Sequence, residues 1–203
     1  MQRAPIKKII SRSWSKRAAV NLIVDASYFS QASVLMIQRA KYEGDPWSGH
    51  MAFPGGRQEK VDGSTLNTAK RETFEELGFN MDGPSTRKTG LTFIGRLSDA
   101  YARQRGHPVP LVITPYLYAV KQRPDLKLNY EVQEVFWIPL DYFADFSQRK
   151  KFDFNALGRT FTLPCYQFGK DQRVWGLSLG MIDELMRVQG LQVPDTQELE
   201  PLE

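Results

Sequence analysis

The sequence predicts one α+β domain in which β-strands precede and follow a central helix. With 203 residues the chain is long enough for one well-buried core, while two domains would be unusual at this length. Hydrophobic residues make up 41% of the chain and charged residues 25%, which is typical of globular proteins. Apolar runs typical of strands lie on both sides of a segment with helical periodicity, and this pattern favours the α+β class.

Short apolar runs rich in β-branched residues predict the strands. A polar stretch rich in Gly and Pro, residues 42–56, interrupts them, and within it we expect a short strand at 51–53 followed by a turn at 54–56. The remaining strands are predicted at residues 18–24, 33–38, 91–94, 110–120 and 132–138.

Residues 65–77 have the periodicity of an amphipathic helix. Ser64 is suited to cap its start, and Gly78 is suited to the left-handed conformation that commonly ends a helix. A second helix is predicted at 177–188. Residues at three- and four-residue spacing form one largely apolar stripe on the first helix, which we expect to face the core: Leu66, Ala69, Thr73 and Leu77.

The net charge of +4 is unevenly distributed along the chain. Residues 1–17 hold six bases and no acid, whereas residues 191–203 hold four acids and no base. We therefore expect a basic N-terminal arm at 1–17, a folded domain at 18–190 and an acidic tail at 191–203. Because the core is nearer to charge balance, the charge is weak evidence for nucleic-acid binding, and none is expected.

No apolar run approaches the roughly 18 residues that a membrane span requires, so no membrane association is expected. The basic, serine-containing arm lacks the long apolar stretch of a secretory signal and loosely resembles a transit peptide, but a solvated arm is the simpler interpretation. The single cysteine, Cys165, excludes an internal disulfide and suits a reducing compartment. We expect a cytoplasmic protein in which this thiol is buried as a small apolar side chain.

The first helix also carries acids on a second face. At about 100° per residue, Glu72 and Glu76 lie one turn apart, and Glu75 flanks them away from the apolar stripe. Three carboxylates so close together repel one another unless a cation lies among them. Oxygen donors suit Mg²⁺ or Mn²⁺, and with only two histidines and one cysteine a zinc site is disfavoured. Arg71, four residues before Glu75, can orient that carboxylate, while a solvated acidic surface is the alternative.

The segment from Gly56 to Phe79, with the runs GRQEKVDGS and RETFEELGF, resembles the Nudix box G-x5-E-x7-R-E-U-x-E-E-x-G-U, where U is a bulky aliphatic residue. The second half fits closely. In the first half one residue is inserted, because Gly56 precedes Arg71 by fifteen positions instead of fourteen. Asp62 or Glu59 then replaces the upstream glutamate.

The resemblance implies the Nudix α/β/α sandwich, with a mixed β-sheet between helices, and metal-dependent hydrolysis of a nucleoside diphosphate linked to another group. It implies that Glu72 and Glu76 are the principal metal ligands, with Glu75 adjoining them and Arg71 as a structural partner. The carbonyl of Gly56 would complete the coordination shell. The general base in this family often comes from another loop, and the candidates are Glu131, Glu134 and, as an alternative, Glu76.

Further stretches at 49–56, 112–115, 131–136 and 174–177 are similar to the coenzyme A pyrophosphatase branch of the family. That branch implies cleavage of coenzyme A or an acyl derivative into 3′-phosphoadenosine 5′-phosphate and 4′-phosphopantetheine. Asp45 departs from the branch, which usually has arginine there. ADP-ribose, dinucleotides and nucleotide sugars therefore remain open as substrates.

Several residues are candidates for substrate contacts. Exposed bases after the Gly-Gly pair, Arg57 and Lys60, are placed to meet phosphate oxygens. Trp47 either stacks on an adenine ring or packs beneath its loop, and packing is favoured because large aromatic side chains usually bury. The remaining candidates are His50 in the 49–56 stretch and a basic cluster that would meet a further phosphate: Arg103, Arg105 and His107.

Two other functional classes are alternatives to an enzyme. A catalytically silent Nudix-like module would bind a nucleotide and regulate a partner, but it has no need for so many mutually repelling acids. RNA binding or decapping is suggested by the basic arm, yet the arm lacks interleaved basic and aromatic residues. The expected partner is a small nucleoside diphosphate, and the sequence leaves open whether the protein acts as a homodimer.

Overall fold

The computed structural model describes residues 6, 16–27, 31–43, 47–102, 110–156 and 158–194. The helices are α1 Thr65–Leu77, α2 Ser85–Thr89, α3 Leu140–Ala144 and α4 Gly176–Val188. The strands are β1 Lys16–Asp25, β2 Ser33–Arg39, β3 Met51–Ala52, β4 Gly55–Arg57, β5 Thr92–Arg96, β6 Ala100–Ala102, β7 Leu111–Val120, β8 Val132–Pro139, β9 Arg149–Ala156, β10 Arg159–Gln167 and β11 Arg173–Trp175.

A mixed sheet of eight strands, with the main order β3-β2-β1-β7-β5, forms the centre of the protein. β1 lies parallel to β7 along its whole length and antiparallel to β2 and to β4. The expected mixed sheet is confirmed. The predicted turn at 54–56 is wrong for its last two residues, because Gly55–Arg57 extends as β4 and pairs with β1.

Alternating side chains divide the sheet into two buried faces. On β2, Leu35 and Ile37 belong to the core beneath α1, while Val34 and Met36 belong to the core beneath α4. Successive residues of a strand point to opposite faces, so one short segment supplies both cores. The outcome is the expected α/β/α sandwich.

The start and end of α1 agree with the sequence prediction. The Ser64 hydroxyl accepts a hydrogen bond from the Asn67 backbone N–H, and Gly78 ends the helix in the left-handed conformation with a φ of 66°. The middle of the helix is fixed to β1 by the buried amide of Asn21, which donates to the Ala69 carbonyl at 3.0 Å and the Thr73 hydroxyl at 2.9 Å. Thr73, which stands where the box has an aliphatic residue, thus provides a polar anchor in the core.

A second, three-stranded sheet, β11-β10-β9, was not predicted, and neither were β6, α2 and α3. A buried ion pair joins this sheet to α4, since the Arg149 guanidinium donates to both carboxylate oxygens of Asp183 at 3.0 and 2.9 Å. Cys165 on β10 is fully buried, as expected. Across the described ranges, no helix combines the length and apolar character needed to cross a membrane.

Candidate active site

A cavity of about 590 Å³ lies between α1, β4, the end of β2 and the start of α4. It brings together side chains that are far apart in the sequence. Seven of the predicted site residues border it: Trp47, His50, Gly56, Arg57, Glu72, Glu76 and Glu131.

Glu76 is the most deeply buried acid of the cavity, with only 2% of its surface exposed. Burial raises the pKa of this carboxyl to about 8, and the negative charges of Glu72 and Glu131 add to the effect. The backbone N–H of Gly55 donates to Oε2 of Glu76 at 2.8 Å, and Arg39 is a nearby positive charge, so both oppose the shift. The site therefore holds a carboxylate in an environment that disfavours its charge unless a cation binds nearby.

Glu72 lies one helical turn before Glu76, and its carboxylate rests against Gly56. A Cβ atom at position 56 would lie only 2.5 Å from the Glu72 carboxylate carbon, so this carboxylate can occupy its observed position only beside a glycine. Burial also raises the pKa of Glu72, while the guanidinium of Arg71 opposes that shift. Glycine at this position thus allows the acid to reach the cavity wall.

Arg71 connects the acid helix to the preceding loop. Its guanidinium donates to Asp62 at 2.8 and 3.2 Å, to Oε1 of Glu72 at 3.0 Å and to Oε2 of Glu75 at 2.9 Å. It also donates to the backbone carbonyl of Arg57 at 3.1 Å. One planar side chain therefore fixes the relative positions of the loop, the strand and the helix.

Asp62 is the acid of the preceding loop that pairs with Arg71. Its side chain is 3% exposed and accepts hydrogen bonds from Arg71, the Thr68 hydroxyl and the Glu59 backbone N–H. The Arg71 guanidinium lowers the pKa of this carboxyl to about 2. Glu59, the other candidate for the role, contributes its backbone here and has an exposed side chain.

The two candidate bases differ in position. Glu131 borders the cavity, and its charge raises the pKa of both Glu72 and Glu76. Its backbone carbonyl accepts from the Ala40 N–H at 2.8 Å, which fixes the loop before β8 to the residue after β2. Glu134 lies on β8 with an exposed side chain and does not border the cavity.

Among the described residues, no group of three or more His, Cys, Asp or Glu side chains is positioned as a formed metal cluster. Glu75 does not border the cavity; its side chain is 49% exposed and bonded to Arg71, so its role as a third ligand stays a prediction. The donor chemistry nonetheless fits a divalent cation, because Glu72 and Glu76 are two mutually repelling oxygen donors with raised pKa values at one wall.

Sequence reasoning missed several cavity residues. Arg39 at the end of β2 and Trp175 at the end of β11 both border the cavity, as do Ser178 and Met181 on α4. The available sequence signal for Arg39 was a basic residue at the end of an otherwise apolar strand. Trp175 lies within the 174–177 stretch, but nothing local indicated that it would border the same cavity as the acids.

The remaining predicted contacts have different outcomes. Trp47 is 42% exposed and borders the cavity, so the expectation that it packs beneath its loop is wrong. Lys60 is exposed on a short 3-10 turn and does not border the cavity, so its phosphate contact stays a prediction. The predicted basic cluster of Arg103, Arg105 and His107 lies outside the described residues, and so does Asp45, the position that departs from the coenzyme A branch.

A family model described as the NUDIX domain matches residues 15–157. In Schizosaccharomyces pombe, Uncharacterized protein C14C4.10c is 37% identical over 109 residues, which cover 53% of this chain and 32% of that protein. In Mus musculus, Mitochondrial coenzyme A diphosphatase NUDT8 is 34% identical over 140 residues, which cover 68% of this chain and 60% of that protein. The match thus spans about a third of the first relative and less than two thirds of the second.

A solved structure shows the same fold. The crystal structure of a MutT/nudix family protein from Enterococcus faecalis superposes with a TM-score of 0.53 at 20% identity, covering 91% of this chain and 66% of that chain. At this identity the likeness concerns the fold alone. Because the family model matches most of the chain, including the whole acid helix and Glu131, the protein belongs to the Nudix family.

Proposed function

We propose that the protein hydrolyses a phosphoanhydride bond in a nucleoside diphosphate derivative and depends on Mg²⁺ or Mn²⁺ held by Glu72 and Glu76. The observation that carries this proposal is the pair itself, two largely buried carboxylates one helical turn apart on the wall of a single cavity. Burial of two like charges costs free energy in the absence of a cation. Family membership supports the same chemistry.

A bound divalent cation neutralises phosphate charge and favours ionisation of water close to the phosphorus. The protein's own groups would then position the substrate and move a proton. Arg57 borders the cavity beside Gly56 and is placed to contact a phosphate oxygen. Arg71 has no direct contact with the reaction; it orients Glu72 through its 3.0 Å hydrogen bond.

Glu131 is the general base that we favour. It borders the same cavity as Glu72 and Glu76 but belongs to a different segment, so it can accept a proton without giving up a metal-binding role. Glu76 is less suited, because its Oε2 already accepts the Gly55 N–H and its position in the site is needed for the cation.

Coenzyme A, or an acyl derivative of it, is the substrate that we propose, giving 3′-phosphoadenosine 5′-phosphate and 4′-phosphopantetheine. The sequence stretches at 49–56 and 174–177 support this choice, and both segments border the cavity. The name of the mouse relative, a coenzyme A diphosphatase, supports it further.

A substrate panel tests the proposal. Coenzyme A, acyl-coenzyme A, ADP-ribose and NADH would each be incubated with the protein in Mg²⁺ or Mn²⁺, and the products separated by chromatography. We expect hydrolysis that EDTA abolishes, with the highest kcat/KM for coenzyme A or its acyl form. Turnover of ADP-ribose or NADH alone would refute coenzyme A as the substrate but would still support phosphoanhydride hydrolysis. No turnover of any compound in either metal would favour a silent binding module.

We also propose that the functional domain extends over 18–190, beyond the family match, because Trp175 and Met181 border the same cavity as the acids. A cytoplasmic location is proposed from the single buried thiol, Cys165. The mouse relative is named as mitochondrial, so a tagged full-length chain should be localised by microscopy.

A further inference from the structure

The cavity has a second wall, made of aromatic rings. Trp47, His50 and Trp175 all border the cavity that holds Glu72 and Glu76. Trp175 lies outside the family match, at the end of β11. The wall therefore combines a loop within the matched residues with the last strand of the second sheet, which lies beyond them.

The rings of this wall contact one another. The His50 imidazole meets the Trp175 indole edge-on, with centroids 5.2 Å apart, and the Trp47 indole edge-on at 6.1 Å. His50 thus lies between two indoles that border the same space.

The Trp175 indole packs against aromatic rings of the second sheet. It contacts the Phe152 ring at a centroid distance of 5.2 Å and the Phe154 ring at 4.7 Å, both on β9. The guanidinium of Arg173 covers Phe152 at 4.2 Å from the ring centroid. A ring supported in this way is pre-organised, because its rotamer is fixed before a ligand arrives.

We propose that Trp175, with Trp47 and His50, binds the nucleobase of the substrate. This inference rests on the proposed hydrolysis of a nucleoside diphosphate, since such a molecule carries a planar base at a short distance from its phosphates. Indole faces stack on any base, whereas an aliphatic chain gains no comparable contact from a π-face. The 42% exposure of Trp47 leaves apolar surface that such a ring would cover.

Binding of two fragments without a phosphoanhydride bond tests the site separately from turnover. AMP and ribose 5-phosphate share the phosphate and the sugar, and only AMP has a base. Isothermal titration with Mg²⁺ present should show tighter binding of AMP to the wild-type protein. In Trp175→Ala we expect AMP binding to weaken about 5- to 150-fold, the range measured for loss of one stacked base, with little change for ribose 5-phosphate.

Matched variants control for general disruption. Trp175→Phe should retain most of the AMP affinity. Phe161→Ala removes an aromatic ring from the same small sheet at a position that does not border the cavity, and AMP binding should be unaffected. If circular dichroism shows that Trp175→Ala does not fold, Trp47→Ala is tested in its place, since Trp47 is half-exposed. It should likewise weaken AMP binding and leave ribose 5-phosphate binding little changed.

Three results would overturn the site: equal wild-type affinities for the two fragments, no AMP binding at millimolar concentration, or equal weakening of both fragments in the alanine variant. Weakened binding of 4′-phosphopantetheine in place of AMP would assign the wall to the other half of the substrate and equally overturn it. If AMP binds as expected but the substrate panel is not hydrolysed, the base site stands and the proposed reaction fails.

Discussion

The backbone N–H of Gly55 lies 2.8 Å from Oε2 of Glu76 and donates a hydrogen bond to it. This bond joins the Gly-Gly strand directly to the most buried acid of the cavity. Gly55 has a φ of 147°, and a Cβ atom there would lie 2.2 Å from the Ala19 carbonyl oxygen. β4 can therefore lie this close to β1, with its N–H directed at Glu76, only because position 55 is glycine.

Replacement of Glu76 should lower activity and, in metal-free buffer at high pH, raise stability. We expect Glu76→Gln to lower kcat by roughly 10³-fold, because it removes a metal-binding charge at almost constant volume. Burial raises the pKa of Glu76 from the ordinary value of 4.5 to about 8. The stability that the neutral carboxyl contributes is therefore present below pH 4.5 and is lost as the pH rises through 8.

In metal-free buffer at pH 8.5, the same variant should therefore be more stable than the wild type by about 2 kcal/mol, or roughly 5 °C in Tm. Thermal denaturation with EDTA measures this difference. Glu134→Gln, on an exposed part of β8, is the control and should change neither quantity. A Glu76→Gln protein with normal turnover would refute the site assignment.

Asp62 should determine part of the acid sensitivity of the fold. Its pKa of about 2 lies below the ordinary value of 3.8, so the stability that the charged carboxylate contributes is present above pH 3.8 and is lost as the pH falls through 2. We expect Asp62→Asn to lower the free energy of unfolding at pH 6 by about 3 kcal/mol, because the Arg71 guanidinium loses the most buried of its three charged partners. Urea denaturation at pH 6 and pH 2.5 should show a smaller pH dependence in the variant, and an unchanged slope would contradict this assignment.

The general base is tested by a pair of matched substitutions. Glu131→Gln should reduce kcat by about 100-fold or more, because Glu131 borders the cavity and can accept the proton of water. Glu134→Gln, three residues away on the same segment, should leave kcat within twofold. Initial rates across pH 6–9 would distinguish the two, and a stronger effect at Glu134 would reverse the assignment.

Gly56 is expected to be required for activity and dispensable for folding. In Gly56→Ala the new methyl group would displace the Glu72 carboxylate, which lies 2.5 Å from the ideal Cβ position. A misplaced ligand of this kind should cost about 100-fold in kcat/KM, with a change in Tm of only a few degrees because the displaced atoms belong to a flexible side chain.

Gly180→Ala provides the control for the same substitution in open space, since nothing lies within 4 Å of the added Cβ on α4. It should retain activity and stabilise the protein by up to about 1 kcal/mol through helix propensity. Global unfolding of Gly56→Ala would show that position 56 has a structural role instead.

The helix that carries the acids was predictable because its signals are local. Ser64, the periodic apolar positions and Gly78 lie within fifteen residues, and each acts through its nearest turns. The boundaries of the strands were predicted less accurately. The two glycines at 55 and 56 favour a turn, but β4 begins at Gly55 because pairing with β1 outweighs this local preference.

The cavity as a whole was not predictable, because its walls come from distant segments. Trp175 reaches it through a second sheet whose strands are rich in charged and polar residues, and β10 contains Pro164, which disfavours a strand in local reasoning. Asp62 was one of two candidates for the loop acid, and only the Arg71 contacts distinguish it from Glu59.

The second sheet and the acid helix are stabilised by different contacts. Arg149 and Asp183 fix the sheet to α4, whereas Asn21 and Arg71 fix α1 to the strand and loop beside it. Mutations that remodel the second sheet, and with it the Trp175 part of the ring-bearing wall, can therefore accumulate during evolution without repacking the acid helix. Such a chain could exchange one preferred metabolite for another while it keeps the hydrolysis that we propose.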